Sequence, residues 1–161
     1  MSVSGWQRET SPYHRGEQVL HERLNRKDRQ DREGRRVTRP FMPQQHREFF
    51  QQLPFILVGG VDSSGWPWAS ILFGPPGFVT TPNSTTLRID AHPIPGDPLK
   101  DSFESVGTPV GLLGIEFPTR RRNRANGVVS RQDPSGVQVH VVQSFGNCPQ
   151  YINARIHELV G

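Results

Sequence analysis

The chain has 161 residues and a single cysteine, Cys148. One thiol cannot close an internal disulfide, so no disulfide framework holds this fold, and the composition suits a reducing compartment. No apolar run approaches the length of a membrane span, and Met1–Gly16 lacks the apolar h-region of a secretory signal. A soluble, cytoplasmic protein with no membrane partner is the expectation. Hydrophobic residues make up only 33% of the chain and the mean hydropathy is −0.59, low for a compact globule. The length suits one domain with a real core rather than two. Signatures of protein-borne catalysis are also missing. The histidines, His14, His21, His46, His92, His140 and His157, are scattered, and there is no Gly-x-Ser-x-Gly elbow. A nucleophilic triad and a clustered zinc site therefore find no support in the pattern. No Gly-x-Gly-x-x-Gly element offers a dinucleotide site either. If the chain is an enzyme, a bound cofactor carries the reaction.

What charge there is lies unevenly. Residues 1–40 hold ten Lys/Arg and six Asp/Glu, whereas residues 41–161 hold nine of each, so the net +4 belongs to the first quarter. Its segment "HERLNRKDRQDREGRR" mixes both signs, and Leu24, with Val19 and Leu20 just before the segment, makes a thin helical stripe. An extended arm or a solvated helix is expected there. A nucleic-acid arm is disfavoured, because acids interleave the bases and no aromatic residues accompany them.

From Phe41 onward the pattern changes. His46, Phe49, Phe50 and Leu53 fall at i, i+3, i+4 and i+7 after Pro43, which predicts a short helix with one apolar face and His46 packed on it. "FILVGGVDSSGWPWASILF" reads as two strands around the turn Asp62-Ser63-Ser64-Gly65. "GPPGFVTTPNST" reads as a loop and "TLRIDA" as a short strand. A helix is expected from about Asp97, then a strand in "TPVGLLGIEF". "RRRNRANGVVSRQD" and "GVQVHVVQSF" make a hairpin closed by Asp133-Pro134-Ser135-Gly136, and "PQYINARIHELV" reads as a short helix. Five or six short strands with few helices predict a small antiparallel barrel.

Three places could carry chemistry. On a strand, Arg120, Arg122 and Arg124 of "TRRRNRANG" project to one side, and planar guanidinium forks suit a phosphate as well as a solvated face. Arg88, between apolar neighbours in "TLRID", needs a partner, either Asp90 or a bound phosphate or flavin carbonyl. Cys148 has no second cysteine or spaced histidine and is read as a small buried side chain in a pocket wall.

"LPFILVGGVDSSGWPWASILFGPPGFV", with its Asp-x-x-Gly-x-Pro hairpin and Ser-containing strand, resembles the start of the pyridoxamine 5'-phosphate oxidase-like, FMN-binding split-barrel family. "TRRRNRANG" and "QSFGNCPQYI" resemble a subgroup often joined to a flavin and iron–sulfur, ferredoxin-reductase-like module, and "SPYHRGE" resembles its leader. The resemblance spans about Phe41 to Arg155. It implies a mainly β fold, a six-stranded antiparallel split barrel over residues 41–161 with a few short helices, after an N-terminal arm of residues 1–40. It also implies a homodimer with FMN in a cleft at the subunit interface. By position, Trp68, Ser70 and Ile71 would run along the flavin, Arg88 and Ile89 would line it from the next strand, and Arg122, Arg124, Asn147 and Gln150 would form a polar edge. The sequence departs from the oxidases at "HPIPGDPL", which replaces their phosphate-holding Arg-Lys pair. The arginine strand is the alternative phosphate holder, and pyridoxamine phosphate does not carry over as substrate. The implied function is FMN-dependent electron or hydride transfer with no side-chain catalyst, served by a reductase as electron donor. A non-catalytic flavin- or haem-binding split barrel is the alternative.

Overall fold

A computed structural model describes residues 5–148 and 150–156. The chain divides into two compact units between Pro40 and Phe41.

In the first unit, of the two alternatives expected, an extended arm or a solvated helix, the helical one forms, as α1 (Arg15–Arg23) and α2 (Lys27–Val37). His14 starts α1 with a reciprocal cap. Its Nδ1 accepts from the Gly16 and Glu17 amides, and Glu17 Oε2 accepts from the His14 amide at 3.0 Å. Asp31 on α2 accepts from Ser11 Oγ at 2.6 Å and Arg35 Nε at 2.7 Å, and Arg35 also donates to the carbonyls of Arg8 and Glu9. Those hydrogen bonds, Ser11's before Arg35's, hold the Asp31 carboxyl below its ordinary range. The Tyr13 ring lies so close to Gly34 that a Cβ there would stand 2.6 Å from Cε2. The expected stripe does not pack: Leu20 and Leu24 are exposed, and α1 has no buried residue. Polar bonds, rather than an apolar face, order this segment.

The second unit begins with α3 (Gln44–Gln51), whose His46, Phe49 and Phe50 are buried as the periodicity predicts. Seven strands follow: β1 (Phe55–Val61), β2 (Pro67–Phe73), β3 (Val79–Asn83), β4 (Thr86–Ile89), β5 (Pro109–Glu116), β6 (Arg121–Asp133) and β7 (Gly136–Asn147), with the one-turn α4 (Lys100–Phe103) before β5. They form one antiparallel sheet in the order β2-β1-β5-β6-β7-β4-β3, and β2 and β3 are its unpaired edges. Both expected hairpin turns form. The extra strand, β3, lies in the segment read as a loop; Pro82 obscures it in sequence but is tolerated because β3 is an edge strand. The helix expected from Asp97 shrinks to α4, and of the helix expected over 149–160, Gln150–Ile156 is a turn and irregular chain, while Pro149 and residues 157–160 lie outside the described residues.

One core takes the inward residues of every strand and of α3. Ile56 and Val58, Leu72, Val79, Leu87 and Ile89, Val110 and Leu112, Ala125, and Val139 share a single buried cluster with Phe49 and Phe50. A flat sheet could not bring residues of both edge strands into one cluster, so the sheet curls around it. Register slips by a residue between Asn126 and Gly127. A Cβ at Gly127 would lie 2.0 Å from the His140 carbonyl oxygen, so only glycine fits this bulge.

Candidate functional site

Strand alternation divides the second unit into a core face and an outer face. Cross-strand register then assembles the outer face row by row. One row runs Ala69–Gly59–Gly111–Asn126–Gln143 across β2, β1, β5, β6 and β7. The next runs Ile71–Leu57–Leu113–Arg124–Phe145. The first row has almost no side chains over three strands, a bare shelf about 10 Å across at the usual strand spacing. It floors a shallow cleft of about 220 Å³ walled by Leu57 and Leu113 and ending at Arg124.

The polar end of the shelf is ordered. Arg124 Nε donates to Asn147 Oδ1 at 3.1 Å, and Asn126 Nδ2 donates to Gln143 Oε1 at 3.2 Å. One step along, Arg122 pairs with Asn147 in the ladder and donates through Nη2 to the Cys148 carbonyl, while its Nε is buried without a partner. Arg122, Arg124 and Asn147, which the resemblance implied as parts of one polar edge, lie together beside the shelf, and Ile71 lies on the same outer face at its far side. Gln150 sits in the following turn, with its Oε1 3.7 Å from the Cys148 sulfur. Cys148 itself is exposed, which corrects its reading as a buried wall residue: the strand has ended and the turn carries the thiol outward.

The other sequence-derived residues point elsewhere in the chain. Trp68 and Ser70 project from the face of β2 opposite to Ile71. Ser70 Oγ donates to Asp97 Oδ1 at 2.7 Å, and the same oxygen accepts from the Leu99 amide, fastening the loop before α4. Trp68 Nε1 donates to Asp62 Oδ2 at 2.8 Å. The Asp62 carboxyl is held below its ordinary range first by the Trp66 amide, with the Trp68 indole contributing. Ile89 is fully buried in the core, so only its backbone can face a ligand. Arg88 grips Asp133 with two parallel bonds of 2.8 and 2.7 Å and Asp90 with a third of 2.7 Å. The partner inferred from sequence, Asp90, is present, but Asp133 is the dominant one. The guanidinium, first of all through its hydrogen bonds, pulls the Asp133 carboxyl down to about 2, and Asp133 in turn raises the Arg88 pKa. Arg88 lies opposite Gln138, nine residues along β7 from Asn147, roughly 30 Å away on an extended strand.

The residues that sequence reasoning passed over are those of the shelf. Its signal was available in "ILVGGV" and "PVGLLGI", since glycine inside a strand often marks a close approach by a ligand or another backbone. Among the described residues no histidine, cysteine or methionine lines the cleft, and no three His, Cys, Asp or Glu gather as a metal site.

No protein-family model matches the sequence, and no curated protein matches it. Among solved structures, HupZ of group A Streptococcus superposes with a TM-score of 0.50 at 15% identity, over 71% of this chain and 99% of that one. A Lactobacillus delbrueckii protein provisionally described as a pyridoxamine 5'-phosphate oxidase superposes with a TM-score of 0.48 at 14% identity, over 66% of this chain and 95% of that one. At such identities the likeness is one of fold. The mainly β, antiparallel split-barrel class expected from the sequence is the class observed, with seven strands in place of six. Among the described residues no helix is long and apolar enough to cross a membrane.

Proposed function

We propose that residues 41–161 bind a flavin, FMN, with its ring system lying on the shelf of Ala69, Gly59 and Gly111, and that a second copy of the chain covers it. The carrying observation is the shelf itself: two glycines and an alanine in register across three strands, walled by leucines and closed by donors at one end. A planar fused ring needs such a surface, because a larger side chain on any of the three strands would hold it away from the sheet. The donor end suits a ring edge rich in carbonyl and imine acceptors. Arg124 places a charge there, and the Asn126–Gln143 and Arg124–Asn147 hydrogen bonds keep the amides from swinging across the shelf.

The outer face beyond the shelf supports a homodimer. Phe73 is 65% exposed and Ile71 41%, neighbours on the outer face of β2, and Val61 on β1 beyond the shelf is 50% exposed, apolar surface that a monomer would leave in water. Covering it with a second copy would also remove water from the shelf and strengthen the hydrogen bonds at its polar end. Bound FMN would supply electron or hydride transfer. The chain's own part is then to position the ring, exclude water and balance charge, with a separate reductase as electron donor. Among the described residues that line the cleft there is no histidine, cysteine or methionine to serve a haem as axial ligand, while the donor end suits a flavin's edge.

The test is the visible absorbance of the purified chain, followed by titration with FMN, FAD and a deazaflavin. Uptake of FMN with quenched flavin fluorescence, and release of FMN on denaturation, is the expected result. A chain that ignores all three flavins would overturn the proposal.

A further inference from the structure

A second cavity, of about 300 Å³, opens where the start of β6 meets the first turn of α3 and the end of β7. Gln45 and His46 line it from α3, and Arg121, Arg122 and Asn123 from β6. No carboxylate lines it. Asn123 is only 6% exposed, yet its Nδ2 has no hydrogen-bond partner, and the buried Nε of Arg122 has none either. Buried donors are normally paired, so two orphans at the wall of one cavity point to an acceptor that enters it.

The charge pattern agrees. Two other partly buried guanidiniums have carboxylate partners, Arg88 with Asp133 and Arg35 with Asp31, while Arg47 donates to the Thr81 carbonyl. Among the described residues neither Arg121 nor Arg122 has such a partner. Arg121 stacks instead on the Phe49 ring, 5.1 Å from its centre. The nearest acid along the ladder, Glu116 opposite Arg121, accepts from Gln52 Nε2 at 2.5 Å and from the Thr119 hydroxyl. The deeper polar groups are self-sufficient, with His46 Nδ1 2.7 Å from the Ser144 hydroxyl. What remains is two positive charges and two vacant N–H donors around a space able to hold a tetrahedral oxyanion.

We propose that this cavity is a phosphate-monoester site, with Arg122 Nε and Asn123 Nδ2 as donors and Arg121 supplying charge. It stands on its own geometry and does not need the flavin reading. The phosphate could come from the flavin nucleotide or from a separate phosphorylated solute, since both present the same group.

Calorimetric titration of the full chain with inorganic phosphate, at constant ionic strength against chloride and without flavin, tests it. Binding that weakens about tenfold or more in both Asn123→Leu and Arg122→Gln is expected. Asn123→Leu should melt no lower than the parent without phosphate, because it removes an unpaired buried amide, whereas a merely structural Asn123 would lower it. Should Asn123→Leu fail to fold, Arg122→Gln still decides. Absence of phosphate binding by the parent at millimolar concentration, or unchanged binding in Arg122→Gln, would overturn the site. Comparing FMN with riboflavin separates the sources. Competition between phosphate and FMN, with riboflavin unaffected by the substitutions, assigns the site to the flavin's phosphate. Phosphate binding that leaves both flavins untouched assigns it to a separate solute.

Discussion

Replacing Gly59 by valine separates the ligand role of the shelf from its structural role. A Cβ at Gly59 would meet nothing closer than the Gly111 and Trp68 carbonyl oxygens, both at 3.9 Å, which is ordinary contact. The folded chain therefore accepts the side chain without strain. Glycine inside a strand costs about 0.5–1 kcal/mol relative to alanine, and β-branched residues gain further on a pleated surface, within a scale of about 1 kcal/mol. Gly59→Val should raise stability by about 0.5–1.5 kcal/mol. At about 2–4 °C per kcal/mol for a chain of this size, the melting temperature rises by a few degrees. The valine methyls would occupy the layer some 3.5–4 Å above the strand where a stacked ring must lie. FMN affinity should then fall at least tenfold, about 1.4 kcal/mol. Differential scanning fluorimetry and FMN fluorescence titration on the same preparation measure both. A variant that melts higher and binds FMN as the parent does would refute the placement of the ring, and one that unfolds would refute the claim that the shelf is open.

Other perturbations test other elements. Asp133 is held at about 2 against an ordinary 3.8, a depressed carboxyl, so its contribution is complete above that ordinary value and is lost as pH falls through about 2. Asp133→Asn should lower the melting temperature at neutral pH, with the gap to the parent closing between about pH 4 and pH 2; a gap independent of pH would sink the Arg88 pairing as its cause. Cys148→Ala should retain FMN binding, since the thiol is exposed and, among the described residues, meets Gln150 Oε1; complete loss of flavin on titration would assign the thiol a direct role. Phe73→Lys, on the exposed edge strand, should leave circular dichroism unchanged and shift the chain to a monomer in analytical ultracentrifugation. A dimer that persists would place the subunit contact elsewhere.

Local chemistry carries a good part of this structure. The Asp62–Gly65 and Asp133–Gly136 turns, the apolar face of α3 and the alternation of the strands follow from residue type and period alone, and these already imply a small antiparallel β unit. The arginine strand was visible in part: Arg122 and Arg124, spaced by two, share a face of β6, whereas Arg120, expected beside them, sits in the turn before the strand with φ 62°. Elsewhere local signals fell short: Pro82 hid an edge strand, and the mixed charges of residues 27–37 left extended arm and solvated helix both open, the helix being the one that Asp31, Ser11 and Arg35 stabilise. Arg88 announced its need for a partner, but the principal one, Asp133, lies 45 residues on, and His46 meets Ser144 across 98. The shelf is likewise a product of register: Gly59 opposite Gly111 becomes a surface only once β1 and β5 pair in that alignment. Period and turn preference act within a few residues, so sequence determines them directly. Pairing register and the desolvation of a charge sum contributions from distant segments, so tertiary structure alone decided which glycines make a floor and which arginines remain unpaired.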